Sequence, residues 1–454
     1  MYLMKYNYHE EKFGRSFFMA EEKHLEQKNK KRNQNAVNQT AYMFEAGLEY
    51  FISILITGAY LATVLSYNGV PDSVTGIITS LASFGFTAQA LAVLFIHPKG
   101  KGKGIVVALH TLNQLMFALL YMTPFIKVSP GVKTVVFVVL FLGGHIFSNM
   151  AMPFKLSWLN SYVDDDKRGI YTAKKEISSL VGGIAFSYLM GGVSDYFKSV
   201  GKPDTAFLIC GITVFVLCIG HTVSMLVVRD GEDAAVIQRQ TYNFKDVLSS
   251  TLMNKDYRKI IWLDAIWHIA TGIVGPFLGT YQINELGFSL TFVAFIAMLG
   301  SIARVLFSKF FGRYADRHSW AQMLTVVFFI GAIGYLFIVF ATPSSGKIMY
   351  PLFLIVNGIY YAGSNSGIMN IAFDYTKHEN RAAALGIKSA VGGIAGFLAS
   401  LIGGEVVSMM QRGGNQIFGI TIYAQQILAF VSFVAMMAVV FYIRKVIYKM
   451  KKTI

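Results

Sequence analysis

The sequence predicts an all-α integral membrane protein in which twelve transmembrane helices form two pseudo-symmetric bundles of six. Three observations support this: the number and length of the apolar stretches, the distribution of basic residues among the loops, and an internal repeat. Twelve stretches of roughly 20 mainly apolar residues lie between residues 42 and 443, and a helix of that length crosses a hydrocarbon core of about 30 Å.

The predicted spans fall into two sets of six, separated by a charged segment. The first set covers residues 42–67, 72–96, 104–126, 132–156, 169–194 and 204–228; the second covers 258–283, 288–311, 319–341, 348–372, 382–408 and 418–443. We therefore predict a disordered basic tail (1–41), an N-terminal bundle (42–228), a linker (229–257), a C-terminal bundle (258–443) and a basic tail (444–454). Short loops within each set predict antiparallel neighbours.

Basic residues divide the loops into two groups that alternate along the chain. Of the 40 Lys and Arg residues, one side of the predicted membrane holds six: Lys127, Lys133, Lys198, Lys202, Lys347 and Arg412. Since cytoplasmic loops carry the excess of basic residues, both termini are predicted to be cytoplasmic and to face anionic lipids. The first 40 residues lack the apolar core of a cleavable signal peptide, so we expect a multi-pass plasma-membrane protein.

Composition agrees with a membrane protein and argues against several other classes. Hydrophobic residues make up 54% of the 454-residue chain and charged residues 14%, too few to cover a soluble globule. The net charge of +15 follows from the basic cytoplasmic loops, and without an RNA or DNA motif we expect no nucleic-acid partner. Cys210 and Cys218 lie in one span, so neither a disulfide framework nor a cysteine metal site is predicted.

The linker is predicted to contain a short surface helix. Within 229–257 the apolar residues Phe244, Val247, Leu248 and Leu252 recur at helical spacing, behind Asn243 as a candidate N-cap. Such an amphipathic helix would lie at the membrane interface.

The two halves share a repeat in their fifth spans. Arg168, Lys175, Val181-Gly-Gly and Gly191-Gly192 in the first half correspond to Arg381, Lys388, Val391-Gly-Gly and Gly403-Gly404 in the second, with a three-residue slip. A duplicated six-helix unit is the architecture of transporters that rock two bundles around a central site. Paired glycines let helix backbones approach closely, and packing alone accounts for them.

A motif at the end of the eighth span resembles a loop signature of the major facilitator superfamily. Its residues are Gly312, Arg313, Asp316 and Arg317, in the sequence Gly-Arg-Tyr-Ala-Asp-Arg. In the first half, the loop 98–103 keeps its lysines but has no Asp. The resemblance implies that the motif is a gate element that stabilises the outward-open state, and that spans one, four, seven and ten line a central path. A solvated surface cluster is the alternative interpretation of these charges.

Ionisable residues inside spans cost roughly 2.5–3.5 kcal/mol on insertion scales, so each is a functional candidate. The first span carries Glu45 and Glu49, and the seventh carries Asp264 and His268; each pair lies at i and i+4 on one helix face. A carboxylate in a water-poor cavity can load and release a proton near neutral pH, and imidazole titrates in the same range. The alternative is that Glu45 and Asp264 reach up to cytoplasmic water.

The fourth and tenth spans add amides and a further histidine to this path. His145 and Asn149 stand at i and i+4, and Asn357 and Asn365 are the predicted cavity residues of the amide-rich tenth span. An unsatisfied amide is costly in lipid, so these side chains should face helices, water or a ligand. Isolated polar residues elsewhere are interpreted as packing: Gln89, His110, Asn113, Gln114, His221 and Glu405.

The sequence shows no enzyme signature. It has no nucleotide-binding Gly-rich motif, no His-Glu-x-x-His and no cysteine pair at zinc spacing, so we expect neither an enzyme nor a cofactor or metal. The energy for transport would come from an ion gradient, most simply of protons, or from the gradient of the solute itself.

Function is therefore expected to be secondary active transport of a small solute by alternating access, with proton-coupled uptake of a polar solute such as a sugar. Aromatic residues near the amides would stack on such a solute: Tyr60, Trp267, Tyr281, Tyr360 and Tyr361. Proton-antiport export of drugs or amphiphilic metabolites is the alternative, although the fifth span has no proline of the Gly-Pro motif frequent in superfamily exporters. A non-transporting sensor or assembly factor with this fold is the second alternative.

Overall fold

The computed structural model describes residues 33–95, 103–160, 163, 168–229, 244–376 and 381–450. The first 32 residues, most of the 98–103 loop, the linker segment 230–243 with Asn243, and the last four residues lie outside the described residues. The predictions made for those segments therefore stay predictions.

Helices form nearly all of the described chain. In the N-terminal half they are α1 (Asn33–Leu55), α2 (Gly58–Tyr67), α3 (Asp72–Phe84), α4 (Thr87–Phe95), α5 (Lys103–Leu120), α6 (Pro130–Asn160), α7 (Arg168–Ser199) and α8 (Pro203–Val227). In the linker, α9 (Phe244–Met253) is the predicted short helix. The C-terminal half contains α10 (Lys255–Gly272), α11 (Leu290–Arg317), α12 (Trp320–Val339), α13 (Gly346–Asp374), α14 (Arg381–Arg412) and α15 (Ala424–Lys445).

The all-α membrane fold is confirmed, and the count of twelve spans is met only in part. Among the described residues, ten helical segments are long and apolar enough to cross a membrane, or eleven if the bent pair α1 and α2 is one span. The remaining prediction, 348–372, coincides with α13, whose 29 residues extend about 43 Å. It carries the polar side chains Asn357, Ser364, Asn365, Ser366 and Asn370.

Three local features differ from the predicted spans: the start of the first helix, a bend within the first span and the start of the last helix. Helix α1 begins at Asn33, so residues 33–41 of the predicted tail are helical. The first span bends by 43° between α1 and α2, where Gly58 adopts a left-handed φ of +54°. Before the last span, the chain forms an antiparallel hairpin whose strands, β1 (Gln416–Ile417) and β2 (Ile420–Thr421), have two residues each. The last helix therefore starts at Ala424 rather than at 418.

Side-chain caps fix several helix starts in the C-terminal half. The Asn254 side chain accepts hydrogen bonds from the backbone N–H groups of Asp256 and Tyr257, at 3.0 and 3.1 Å. Ser289 and Ser319 cap α11 and α12 in the same way. Each cap provides an acceptor for backbone N–H groups that have no partner within the helix, so the local sequence sets where these helices begin.

Each half has a hydrophobic core of its own. Buried residues from Ile52 to Val214 form one core, and those from Tyr257 to Ile447 form the other. The halves meet where α14 packs on α3 and α4, where α11 packs on α7, and where the turn Leu278–Thr280 packs on α2. This arrangement holds α1, α6, α10 and α13 in position to carry the predicted polar residues.

The two ends of the molecule are named here from the described chain. The terminal end carries the start of α1 and the end of α15. The distal end carries the α2–α3 loop and the hairpin. These names are kept below.

Candidate functional site

Five titratable residues from four helices meet near the terminal end of the N-terminal half; we name them the N-terminal cluster. Its members are Glu45 and Glu49 (α1), His110 (α5), Lys155 (α6) and His221 (α8). The ammonium of Lys155 lies 2.7 Å from Glu45 Oε1 and 2.5 Å from Glu49 Oε2. Glu45 Oε1 also lies 2.6 Å from His221 Nε2, and His110 Nδ1 lies 3.9 Å from Glu49 Oε1.

Burial separates the two carboxylates of this cluster. Glu45 is 1% exposed, whereas the Glu49 side chain is 36% exposed. Glu45 therefore does not reach up to water as the alternative interpretation required; Lys155 compensates its charge inside the bundle, and His221 Nε2 lies against the same carboxylate oxygen. Removing one member of a buried ion pair typically costs about 3–5 kcal/mol, so these contacts fix the positions of all three side chains.

The same group meets the spacing of a metal site. One ligand atom each of Glu45, Glu49 and His221 lies within 4.8 Å of the others. However, the Lys155 ammonium already lies within 2.7 Å of both carboxylates, so a metal ion would have to approach a fixed positive charge. The geometry fits an ion-pair cluster better than a metal centre.

A second group, the C-terminal cluster, consists of Asp264, His268 and Lys388. Lys388 Nζ on α14 lies 2.6 Å from Asp264 Oδ1 on α10, and Asp264 is fully buried. His268 Nδ1 lies 2.8 Å from the backbone oxygen of Asp264, so this nitrogen carries a proton and donates it. Nε2 of a neutral His268 is then an acceptor, on a side chain that is 18% exposed.

A glycine of the repeat makes room for the C-terminal cluster. A Cβ atom on Gly392 of α14 would lie 2.4 Å from Asp264 Oδ2 and 2.8 Å from His268 Nδ1. Any larger residue would push α14 away from α10 and separate Lys388 from its carboxylate. In the first half, Gly183 fits against the Tyr50 ring, 2.3 Å from the position of an added Cβ.

The two clusters differ in where their lysine comes from. Glu45 and Asp264 occupy equivalent places, but Glu45 pairs with Lys155 of α6, whereas Asp264 pairs with Lys388 of α14. Lys175, the sequence equivalent of Lys388, lies instead with its Nζ 5.1 Å from the centre of the Tyr42 ring.

The predicted residues of α6 and α13 lie in different surroundings. His145 packs against the rings of Phe117 and Phe141, with centroids 5.1 and 4.5 Å away. Asn149 accepts a 2.8 Å hydrogen bond from Gln89, so it joins two helices. On α13, Asn357 is half-buried, Asn365 is exposed, and neither side chain bonds to a described residue.

The motif Gly312, Arg313, Asp316 and Arg317 lies in the last turns of α11. Arg313, Asp316 and Arg317 are exposed. Asp316 makes no ion pair or hydrogen bond to any residue that the structure describes. At this end, therefore, the motif does not tie the halves together within the described chain.

Hydrogen bonds across the two halves close the distal end. Asp195 of α7 accepts bonds from the backbone N–H groups of Leu290 and Thr291, at 2.9 and 2.8 Å, and so caps α11 from the other half. Asp72 accepts from Asn284 at 2.6 Å and from Gln411 at 2.9 Å.

Two further contacts support this closure. Within the second half, Gln411 also donates to Glu285 at 3.1 Å, and deeper in the molecule the hydroxyls of Ser80 in the first half and Ser400 in the second lie 2.6 Å apart. Beside the closure lies a cavity of about 330 Å³, lined among others by Tyr60, Tyr67 and Phe207 of the first half and by Phe288 of the second. Neither charged cluster lines this cavity.

A sequence profile places the chain in a family. The profile of the Major Facilitator Superfamily matches residues 44–400 and 268–452. The chain belongs to the major facilitator superfamily. It is accordingly a protein of a transporter family and not an enzyme. No curated protein matches the sequence.

Solved structures of this superfamily share the fold at low sequence identity. The nucleoside transporter NupG aligns with a TM-score of 0.65 at 13% identity and covers 92% of this chain and 100% of its own. A D-xylose-proton symporter aligns at 0.64 and 11%, over 88% and 96%. A bacterial homologue of the lysosomal transporter Spinster, inward-facing and unoccupied, aligns at 0.58 and 13%, over 90% and 95%.

Sequence reasoning missed three members of the N-terminal cluster. His110 and His221 looked like isolated packing residues, and Lys155 lay at the predicted end of a span, where it counted as a loop residue. Only the superfamily fold brings α1, α5, α6 and α8 together around Glu45. The sequence did contain a signal for this cluster. His110, Lys155 and His221 all lie within about two helical turns of the membrane face at which Glu45 is predicted to lie.

Proposed function

We propose that the protein is a secondary active transporter that takes up a small polar solute across the plasma membrane, with protons as the coupling ion. The observation that carries this proposal is the difference between the terminal end and the distal end of the molecule. Hydrogen bonds between the halves close the distal end, whereas each charged cluster at the terminal end lies within one half. This is the inward-facing half of an alternating-access cycle, with the terminal end cytoplasmic.

The exposed gate motif supports this assignment. Asp316 is expected to act in the outward-open state, and here it is exposed and unpaired within the described chain. The assignment also agrees with the basic residues of the terminal side, which would face anionic lipids of the inner leaflet.

Unpaired amides support a neutral polar solute. Asn357 and Asn365 have donors and acceptors with no described partner, and His268 Nε2, on α10 of the same half, adds an acceptor. Two of the structural relatives are a nucleoside transporter and a D-xylose-proton symporter, whose names also indicate hydroxyl-rich solutes. A sugar-like or nucleoside-like solute would satisfy these groups without placing a charge in the membrane.

The first test is solute binding followed by flux. We would measure the melting temperature of detergent-purified protein against sugars, nucleosides, amino acids and cationic amphiphiles at pH 5.5 and 7.5. A ligand present at 100 times its Kd adds about 2.7 kcal/mol to the free energy of unfolding, which raises the melting temperature measurably. We expect a polar solute to stabilise the protein and an inward proton gradient to drive its accumulation in vesicles.

Two amides of α13 provide a matched pair of variants. Asn365→Ala should weaken solute binding about 10-fold, the value of one ligand hydrogen bond. Asn370→Ala should bind normally, because Asn370 donates to Ser366 O of its own helix. If only amphiphiles stabilise the protein, the alternative function, export, is favoured. If no solute of the panel binds or is transported, the proposed transport function is contradicted.

A further inference from the structure

We propose that the coupling proton binds in the N-terminal cluster, with Glu49 as its water-facing end and His221 as its sealed end, and not at Asp264. This inference rests on the proposed proton coupling and specifies which group carries the proton. It adds His110, Lys155 and His221, which the sequence did not single out as functional, and of the two carboxylate pairs predicted for the proton path it selects Glu45 and Glu49 over Asp264 and His268.

Charge balance distinguishes the two clusters. In the C-terminal cluster one carboxylate, Asp264, meets one ammonium, Lys388, at 2.6 Å, and the pair is neutral. In the N-terminal cluster two carboxylates share the single ammonium of Lys155. With neutral imidazoles the N-terminal cluster has a charge of −1, and one added proton makes it neutral. A buried net charge is unfavourable, so this cluster has a reason to bind a proton and the other has none.

Every charged or titratable group packed against the cluster enters this count. Among the residues that the structure describes, those outside the cluster are Tyr42 of α1 and Tyr171 and Lys175 of α7. The tyrosines are neutral. Lys175 Nζ lies 5.1 Å from the centre of the Tyr42 ring, makes no ion pair with a described carboxylate and has the exposed Glu176 beside it. It therefore does not neutralise the second carboxylate by contact.

The contacts provide a route from water to the sealed end. Glu49 is the exposed member, whereas Lys155, Glu45 and His221 are 3%, 1% and 0% exposed. A proton from water binds Glu49, whose side chain is 36% exposed. Lys155 donates a proton to Glu45 and takes up the proton of Glu49, and Glu45 passes its proton to His221, 2.6 Å away. Both carboxylates and the ammonium are then restored, and His221 holds one additional proton.

The cluster also connects the proton to the moving parts. Its residues lie on α1 and α6, which line the predicted path, and on α5 and α8 behind them. Without the proton, Lys155 alone compensates both carboxylates of α1. With it, His221 pairs with Glu45 and leaves Lys155 to Glu49. Because Glu49, Lys155, Glu45 and His221 are in direct contact, they share the proton as one unit, and loss of Glu49, which supplies the uncompensated charge, or of His221, which holds the proton, should remove that proton.

A titration without solute tests the proton site independently of transport. We would compare the number of protons bound by wild-type protein and by variants between pH 5 and 9, and record ¹⁵N spectra of labelled histidine. We expect His221→Gln and Glu49→Gln each to lose the same single proton. His145→Gln, a histidine of the same bundle in an aromatic surrounding, and Asp264→Asn should retain it.

Flux measurements then separate the two proposals. Glu49→Gln, at the exposed end, is the variant expected to fold normally; it should keep solute exchange but lose at least 10-fold in accumulation driven by a pH gradient. If Glu49→Gln and His221→Gln keep the titrating proton, or keep gradient-driven accumulation while Asp264→Asn loses it, the proton site proposed here is wrong and proton-coupled transport stands. If wild-type flux is independent of pH gradients, the proposed coupling itself fails, whatever the titration shows.

Discussion

Single residues in this protein take their roles from partners on other helices. Asp264 lies one turn inside its span, where a carboxylate can reach water in isolation, yet it is fully buried because Lys388 approaches from α14 at 2.6 Å. Glu45 is held in the same way by Lys155. A charge of either sign would be costly in these places alone, so each pair must form for the helices to pack.

Lys388→Met should destabilise the protein by about 3–5 kcal/mol, because it leaves the Asp264 carboxylate buried without a partner. The measurement is the free energy of unfolding in detergent. Lys259→Met is the control: its pair with Asp256 is exposed on a helix surface and should be worth less than about 1 kcal/mol. A similar small loss for Lys388→Met would mean that Asp264 is solvated. The double variant Asp264→Leu/Lys388→Met should recover much of the stability.

Helices in this fold are placed by glycines where the two halves touch. Gly279, in the turn that continues α10, approaches Gly58 at the start of α2, and Gly393 of α14 approaches Ser83 of α3. In each case an added Cβ would lie 2.5 Å or less from a backbone oxygen, which cannot move aside as a side chain can. The Gly279 contact lies toward the distal end and the Gly393 contact near the middle of the spans, and together they control how closely the halves meet.

Gly279→Ala should shift the protein from the proposed inward-facing state toward an open distal end. A Cβ 2.5 Å from Gly58 O implies a strain of about 1–3 kcal/mol that only the closed state feels. Spin labels on cysteines introduced at Val200 and Phe418, in a background without Cys210 and Cys218, would report longer distances. Gly192→Ala is the matched control, because its Cβ meets no atom within 4 Å. Unchanged distances in both variants would contradict the assignment of Gly279 as a closure contact.

At the scale of the whole molecule, the asymmetry between the ends defines the conformation. The distal closure uses carboxylates of the first half, Asp72 and Asp195, to accept hydrogen bonds from the second. Charge-assisted bonds of this kind are worth about 1.5–3 kcal/mol each, enough to hold one state but not to prevent its opening. A transporter needs such a balance, since both states must be populated in each cycle.

Asp195→Asn should open the distal end, because an amide offers one acceptor oxygen where the carboxylate serves two N–H groups of α11. We expect a 10-fold or larger rise in the population open at this end. Cys210 lines the distal cavity at 2% exposure, so the rate of its labelling by a charged thiol reagent, in the Cys218→Ser background, measures the opening.

A control for this variant exists on the same face. Asp204 accepts a 2.6 Å hydrogen bond from Tyr67, but both residues belong to the first half. Asp204→Asn should therefore leave the labelling of Cys210 unchanged. Equal labelling of the two variants would show that Asp195 does not hold the halves together.

The sequence by itself determined the fold class, the approximate span positions and the titratable residues that lie inside the spans. Span length, basic loops and the repeat depend on local composition, and Glu45, Glu49, Asp264 and His268 stand out because charge is rare in apolar segments. The tertiary structure decided the partners. Lys155, Lys388 and His221 are far from those carboxylates in sequence, and helical periodicity leaves each helix free to rotate and shift. Only packing within each bundle fixes which faces meet, and therefore which buried charges lie beside a partner of opposite sign.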